Sequence, residues 1–320
     1  MPENTRFFIV GAGRSGSTLL RLLLTAHSRI HIPPETWFII PLVERMPIEA
    51  RLSTTQTEDV VDIIISNYRW PDMEIDAESL KRDSATLELP RLRQVIDLVY
   101  DHLLRRSGKA RLGDKTPPYI AIVPQLAALY PEAKFIHLIR DGRDVAISYI
   151  EMTYECRFYD GRRFDWIAAL EKARSYRRSE HAAQILEVRY ENLVARQEAT
   201  LREICTFLGE EFEPQMLDPQ PRITAIPERE RHIHRKINRP VSPDLIGVWR
   251  RKLSGIECFL MESCLRDYLI DFGYELRFRA SAWQLLLMGM GWALRSSAWL
   301  LDRAVPYLRR RNLFPKNFYF

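Results

Sequence analysis

The first apolar run of the chain, Phe7-Phe8-Ile9-Val10, is short and stops at a glycine, which predicts a buried strand. Beyond the glycine turn, Leu19, Leu20, Leu22 and Leu23 recur at helical spacing and predict a helix within Ser15–Ala26. Residues 56–106 read as helical, with Val95, Leu98, Val99, His102 and Leu103 on one face. Lys134–Ile139 (KFIHLI) is the next clear strand. A polar RDGRD turn follows it and leads into a helix that runs to about Tyr149. Ile185–Val188 is a third strand candidate, and Val194–Leu208 is an amphipathic helix closed by Gly209. Strands alternating with helices predict an α/β fold, a parallel sheet with helices on both faces. Pro214–Pro243, with six prolines and several charges, predicts an irregular crossing loop.

Composition adds little to that picture until charge is placed along the chain. The 320 residues are 46% hydrophobic and 28% charged, as expected of a globular protein with a large core. The net charge of +5 is uneven: residues 277–320 hold eight basic residues and one acid, +7, which leaves −2 for residues 1–276. The expected organisation is therefore a main domain over 1–276 and a basic, Trp-rich helical tail over 277–320. A body without excess positive charge argues against a nucleic-acid partner. Cys156, Cys205, Cys258 and Cys264 form no CxxC or zinc spacing, so neither a metal nor a disulfide framework is expected, and a reducing, cytoplasmic compartment fits. Met1–Arg6 is polar and shows no signal peptide.

Gly11-Ala12-Gly13-Arg14-Ser15-Gly16-Ser17-Thr18 satisfies two phosphate-binding patterns at once. It is a GxGxxG dinucleotide fingerprint, and it is a P-loop with serine in place of lysine. In both, glycines admit backbone N–H groups to an anion at a helix N-terminus. A plain strand–helix turn is the structural alternative. Loss of the lysine that reaches β- and γ-phosphates weighs against an ATPase or GTPase, while Arg14 supplies positive charge for a single terminal anionic group. Glu35, 19 residues past Gly16, suits the ribose-binding acid of a dinucleotide enzyme, but Pro33-Pro34 precede it and Arg14 is large for that turn.

A second anion site is suggested after KFIHLI. Arg140 stands at the carboxyl end of a strand, where open α/β sheets bind ligands, and Ser148 lies about two helical turns on. A surface pair of Arg140 with Asp141 or Asp144 is the plainer alternative. Taken together, GAGRSGSTLL and KFIHLIRDGRDVAIS resemble the paired signature of the PAPS-dependent sulfotransferase family over roughly residues 6–275, with motifs nearest to the tyrosylprotein branch. The resemblance implies a P-loop-like fold and 3′-phosphoadenosine 5′-phosphosulfate (PAPS) as co-substrate, with no metal. It implies that Arg14, Ser15, Gly16, Ser17 and Thr18 hold the 5′-phosphosulfate, and that Arg140 and Ser148 hold the 3′-phosphate. It places Tyr190 near the adenine, against the alternative of a core tyrosine. It assigns the late basic segment Arg239-Pro240-Val241 to Trp249-Arg250-Arg251 to closure over the nucleotide, with Arg239 the better candidate.

Sulfuryl transfer needs a deprotonated acceptor and a stabilised leaving phosphate, and positive side chains can meet the second need. Arg14 and Lys115 are the candidates. Lys115, in Leu112-Gly113-Asp114-Lys115-Thr116-Pro117, is expected in a loop over the site and resembles the branch's K-x-P element, with a surface lysine as the alternative. The histidine that cytosolic small-molecule sulfotransferases carry just after that lysine is replaced by Thr116-Pro117-Pro118. Glu35-Thr36 matches the glutamate used by the tyrosylprotein branch, which makes Glu35 the expected general base. Burial near Trp37 and Phe38 is expected to raise its pKa. A salt bridge or a helix-terminal acid is its structural alternative, and His27 and His31 are weaker bases.

Ala280–Leu294 carries no charge before Arg295, and Trp283, Trp292 and Trp299 punctuate the run. It is short of a membrane span. Tryptophans with flanking arginines over 280–311 fit an interfacial helix on the inner face of a membrane, and packing on the core or a second subunit (a homodimer) competes with that. The partner classes are then a small-molecule or lipid acceptor and a membrane surface. Tyr154, Phe158, Tyr159, Phe164 and Trp166 are candidate pocket aromatics. The acceptor is expected to enter between the helical region 41–110 and the loops at 150–165 and 222–248. Two other functions stay open from sequence: a nucleotide-binding oxidoreductase, and a catalytically inactive membrane-associated nucleotide-binding protein.

Overall fold

Phe7–Gly11 (β1) becomes the middle strand of a five-stranded parallel sheet, with every residue of it buried. The computed structural model describes residues 5–153, 166–218, 226–231 and 241–278. The other strands are Ile30–His31 (β2), Arg111–Lys115 (β3), Lys134–Ile139 (β4) and Ile185–Arg189 (β5), in the order β2-β3-β1-β4-β5. Ile9 stands opposite Lys115 on one side and Ile136 on the other. An added Cβ on Gly11 would lie 2.6 Å from the Leu138 carbonyl oxygen, so glycine is what lets β1 turn beside β4 (φ +143°).

Ser17–Thr25 (α1) leads from β1 and buries Leu19, Leu20, Leu22, Leu23 and Leu24. The helical stretch expected over 56–106 is divided into Thr54–Ile65 (α3), Trp70–Met73 (α4), Ala77–Ala85 (α5) and Leu92–Ser107 (α6), after the short Ile39–Arg45 (α2). Breaks fall where local chemistry stops a helix. Glu74 adopts φ +51° after α4, Asp76 caps α5 by accepting from Ser79 N, and Leu89 adopts φ +45° before α6. The buried face of α6 is Leu92, Val95, Ile96, Val99, Tyr100 and Leu103, so Ile96 and Tyr100 take the places expected for Leu98 and His102.

Val123–Leu129 (α7), Gly142–Thr153 (α8), Trp166–Tyr176 (α9), Tyr190–Ala195 (α10), Gln197–Leu208 (α11), Trp249–Lys252 (α12) and Gly255–Asp271 (α13) complete the helices used below. The chain sorts into two compact units, one of Met1–Ile139 with Lys172–Ser242, the other of Arg140–Glu171 with Pro243–Phe320. The first holds the sheet. In the second, Arg143 is 1% exposed, stacks 3.7 Å above the Trp249 ring, and pairs with Asp141 (2.7 Å) and Glu262. Glu262 also accepts the backbone N–H of Arg277 (2.8 Å) and Phe278 (3.0 Å), which ties the segment after α13 back onto that helix. No helix among the described residues is long and apolar enough to cross a membrane, and the tail proposed for membrane contact (280–311) lies outside them.

Candidate active site

The β1–α1 loop has the form of an anion cradle. Arg14 (φ +63°) and Gly16 (φ +96°) both take left-handed backbone, and α1 begins with no acidic residue in its first turn and no side-chain cap. Its first N–H groups are therefore open to a ligand. Ser15 is 1% exposed, and its hydroxyl has no hydrogen-bond partner. A buried hydroxyl in that state costs stability unless something completes it, and a phosphate-type oxygen suits the place. Gly16 admits the Tyr190 ring: a Cβ there would sit 2.4 Å from Tyr190 Cδ2. Tyr190 is thus packed on the loop from the start of α10. Ser17 is buried, and Arg14 and Thr18 are half-buried.

Lys115 is not in a loop, as expected from its motif, but is the last residue of β3, 3% exposed. Its Nζ donates to Glu35 Oε1 at 2.7 Å. The other oxygen, Oε2, accepts from the Trp37 indole N–H at 2.8 Å. These contacts reverse the expected pKa of Glu35. Burial pushes it up, but Lys115, the Trp37 N–H and Arg69 together outweigh that and bring the carboxyl down to about 2. Burial also draws the Lys115 ammonium down, with Glu35 opposing and Arg21 adding to it. A carboxylate held this way by its own chain is poorly placed to bind a ribose, which removes the main support for the dinucleotide reading.

The two partners are aligned by buried hydrogen bonds between their neighbours. Asp114 accepts from Thr36 Oγ1 (2.6 Å), Thr116 Oγ1 (2.8 Å) and Tyr100 OH (2.9 Å). Thr36 N donates to Thr116 Oγ1 at 3.1 Å, and Tyr119 OH lies 2.8 Å from Thr36 Oγ1. The segment Thr36–Trp37 is thereby tied to Asp114–Thr116, and Trp37, at φ +60°, turns its indole back to Glu35. Burial raises Asp114 to about 6 against the pull of its three hydroxyl donors.

Arg69 is a site residue that no motif signalled. It is 9% exposed, and its Nη2 lies 3.6 Å from Glu35 Oε2. A single arginine in the turn between α3 and α4 carries no spacing that would have marked it. Arg21, on the buried side of α1, also acts electrostatically on Glu35 and Lys115.

Arg140 and Ser148 belong to the second unit. Arg140 Nη2 donates to the Leu245 carbonyl at 3.1 Å, while Asp141 is taken by Arg143 and Asp144 accepts from Gly247 N and Trp249 N, both at 2.8 Å. The acids of RDGRD therefore tie down this unit's own backbone. Ser148 is half-buried on α8. Trp166 is 1% exposed, packs on Gly142 and donates to the Arg140 carbonyl, which makes it a core residue and not a pocket wall. Arg239, Tyr154, Phe158, Tyr159 and Phe164 lie outside the described residues.

Comparison with known proteins agrees with the geometry. The sulfotransferase family model matches residues 6–214. The nodulation protein NoeE of Sinorhizobium fredii is 32% identical over 141 residues, 44% of this chain and 30% of that protein. Protein-tyrosine sulfotransferase A of Caenorhabditis elegans is 26% identical over 216 residues, 66% of this chain and 51% of that protein. The chain thus spans about half the length of the second relative and less than a third of the first. Among solved structures, the sulfotransferase domain of the Synechococcus PCC 7002 olefin synthase superposes with a TM-score of 0.61 at 22% identity, covering 85% of this chain and 95% of that one. That likeness extends the agreement to the fold. With a family match that runs from the first strand past the fifth and takes in the glycine loop, Glu35 and Lys115, the chain belongs to the sulfotransferase family.

Proposed function

We propose that the protein transfers a sulfuryl group from PAPS to an acceptor hydroxyl, with Glu35 as general base and Lys115 and Arg14 stabilising the leaving phosphate. The observation that carries this reading is the Glu35–Lys115 contact, 2.7 Å long, at the carboxyl end of a strand adjacent to the one that feeds the glycine loop. The orphaned Ser15 hydroxyl and the open N-terminus of α1 suit the donor's phosphosulfate end. Arg140 and Ser148 suit its 3′-phosphate, and Arg239 is the candidate to close over the nucleotide.

Glu35 takes the proton of the acceptor hydroxyl as the new O–S bond forms and the S–O bond to the leaving phosphate breaks. In the resting site Lys115 holds Glu35 ionised and weakly basic. As negative charge grows on the departing oxygen, the ammonium is drawn toward it, and Glu35 regains basicity as the proton arrives. Lys115 is buried and Glu35 half-buried, so the exchange takes place largely out of bulk water. A lipophilic or other small acceptor, reached from a membrane surface through the tail at 280–311 in a cytoplasmic setting, completes the proposal; a homodimer through that tail is its competitor.

The test is Glu35→Gln with adenosine 3′,5′-bisphosphate as the binding probe. Turnover should fall about 10²–10⁴-fold, with affinity for the bisphosphate nearly unchanged. A collapse of that affinity would place Glu35 in the nucleotide site and overturn its role. Wild-type protein that binds ATP or NAD in preference to the bisphosphate would overturn the donor assignment.

A further inference from the structure

Arg69 divides its charge among three acids. Its Nη2 faces Glu35 at 3.6 Å, beyond hydrogen-bond length. Its Nη1 faces Asp72 at 3.5 Å and makes a direct hydrogen bond with Glu230. Glu230 ends a short turn, Glu228–Glu230, that is docked on the same stretch of chain. Arg229 in that turn donates to the Tyr68 carbonyl at 2.9 Å and pairs with Asp72. Arg69 and Arg229 both lie over the Tyr68 ring, at 5.1 and 5.6 Å. The Arg69 guanidinium is therefore held by Glu230 and Asp72 through Nη1, while Nη2 is the nitrogen that faces Glu35.

We propose that Glu230 is a positioning residue that holds Arg69 off the Glu35 carboxylate, so that the docked Glu228–Glu230 turn sets the positive charge against which Glu35 works. The inference rests on Glu35 as the base. The charged groups acting on Glu35 among the described residues include Lys115 from β3, Arg69 from the α3–α4 turn, and Arg21 from α1. Glu230 acts on Arg69, Arg21 and Lys115 and so bears on all three. Without the Glu230 charge, Arg69 can close from 3.6 Å onto Glu35 Oε2. At hydrogen-bond length the attraction is stronger by about a quarter, and a charge-assisted bond is added. Oε2 is the oxygen that the Trp37 indole already occupies. The Trp37 N–H is thus a reporter of the Arg69 position that needs no substrate.

The experiment is a double-mutant cycle in the full chain with Glu230→Gln, Arg69→Gln and both together. Two quantities are read: the Trp37 indole ¹H–¹⁵N resonance, assigned by its loss in Trp37→Phe, and the pH profile of kcat and kcat/KM. In Glu230→Gln the indole proton should move upfield as its bond weakens, and kcat should fall about threefold, the effect of a base weaker by about one pH unit at half Brønsted sensitivity. Donor KM should hold. In Arg69→Gln the indole proton should move downfield and the acid limb of kcat/KM should rise by about one pH unit. In the Arg69→Gln background, the effects of Glu230→Gln should shrink to what its charge exerts through Arg21 and Lys115. Glu230→Asp, which keeps the charge, should stay closer to wild type than Glu230→Gln on both readouts and so separates loss of charge from loss of fold. The proposal is overturned if Glu230→Gln leaves the indole resonance where it was, or if its effects persist undiminished without Arg69. Should Glu35→Gln retain turnover, the kinetic arm loses its basis, while the indole shifts still decide where Glu230 holds Arg69.

Discussion

Thr36→Val removes one oxygen from the layer beneath the Glu35–Lys115 pair and changes almost no volume. In wild type, Thr36 Oγ1 donates to Asp114 at 2.6 Å and accepts from Tyr119 OH at 2.8 Å. Thr36 and Tyr119 are fully buried and Asp114 nearly so, and water has no ready access to replace the lost groups. A hydrogen bond to a charged acceptor contributes about 1.5–3 kcal/mol, and an orphaned buried hydroxyl costs about 1–3 kcal/mol. Tyr119 OH still accepts from Ile39 N at 3.2 Å, but its own proton loses its acceptor. Asp114 keeps Thr116 and Tyr100. The sum is about 3 kcal/mol, or roughly 6–12 °C in Tm for a unit of this size. The backbone bond from Thr36 N to Thr116 Oγ1 survives, so Glu35 should loosen and not detach. A misplacement approaching 1 Å costs about 10²-fold in rate, and we expect kcat to fall by between ten- and a hundredfold with bisphosphate affinity retained. Thermal unfolding followed by circular dichroism and initial-rate kinetics measure the two effects. A Tm within about 1 °C of wild type, or an unchanged kcat, would show that the buried network does not align the pair.

Ser15→Ala should leave the ligand-free protein as stable as wild type or slightly more so, because the hydroxyl it removes has no partner, yet weaken bisphosphate or donor binding about tenfold; equal calorimetric affinities would remove Ser15 from the anion site. Glu35 also makes a pH prediction. Its folded pKa, lowered from an ordinary 4.5 to about 2, gives stability that is present above about pH 4.5 and is lost as pH falls toward 2. Glu35→Gln should remove that acid-side slope, worth about 3 kcal/mol across the window, and urea unfolding between pH 2 and 6 would fail to support the pairing if the two proteins ran parallel.

Much of the sheet was legible because its strands are apolar runs. Phe7–Gly11 and Lys134–Ile139 pack on both faces and show it in composition alone. Strand β3 was not legible, since RLGDK carries three charges and still lies fully buried. Each charge is met from elsewhere in the chain. Arg111 donates to the carbonyls of Thr5 and Leu208 and pairs with Glu210, Asp114 is met by three hydroxyls, and Lys115 is met by Glu35. A local pattern cannot show that such partners exist, because all of them but Thr116 are 14 to 106 residues away. Residues 56–106 looked like one helical stretch for the converse reason: helical periodicity runs on across breaks, two of which are made by single residues with positive φ, Glu74 and Leu89.

For the candidate site residues, the sequence by itself determined the types and their order: in the first unit a glycine turn with Arg14, a Glu35-Thr36 pair and Lys115, and in the second Arg140 with Ser148 after the fourth strand. It did so because backbone approach to an anion demands glycine, and charge neutralisation demands cations, at nearly fixed offsets from strand ends. Tertiary structure decided what those groups are as acids and bases. Burial alone would raise Glu35, as the neighbouring aromatics suggested. Its actual state follows from Lys115, the Trp37 N–H and Arg69, brought together across 80, 2 and 34 positions of the chain. Coulomb interaction falls with distance in space and is blind to distance in sequence, so the sign of that shift existed only once the chain had folded.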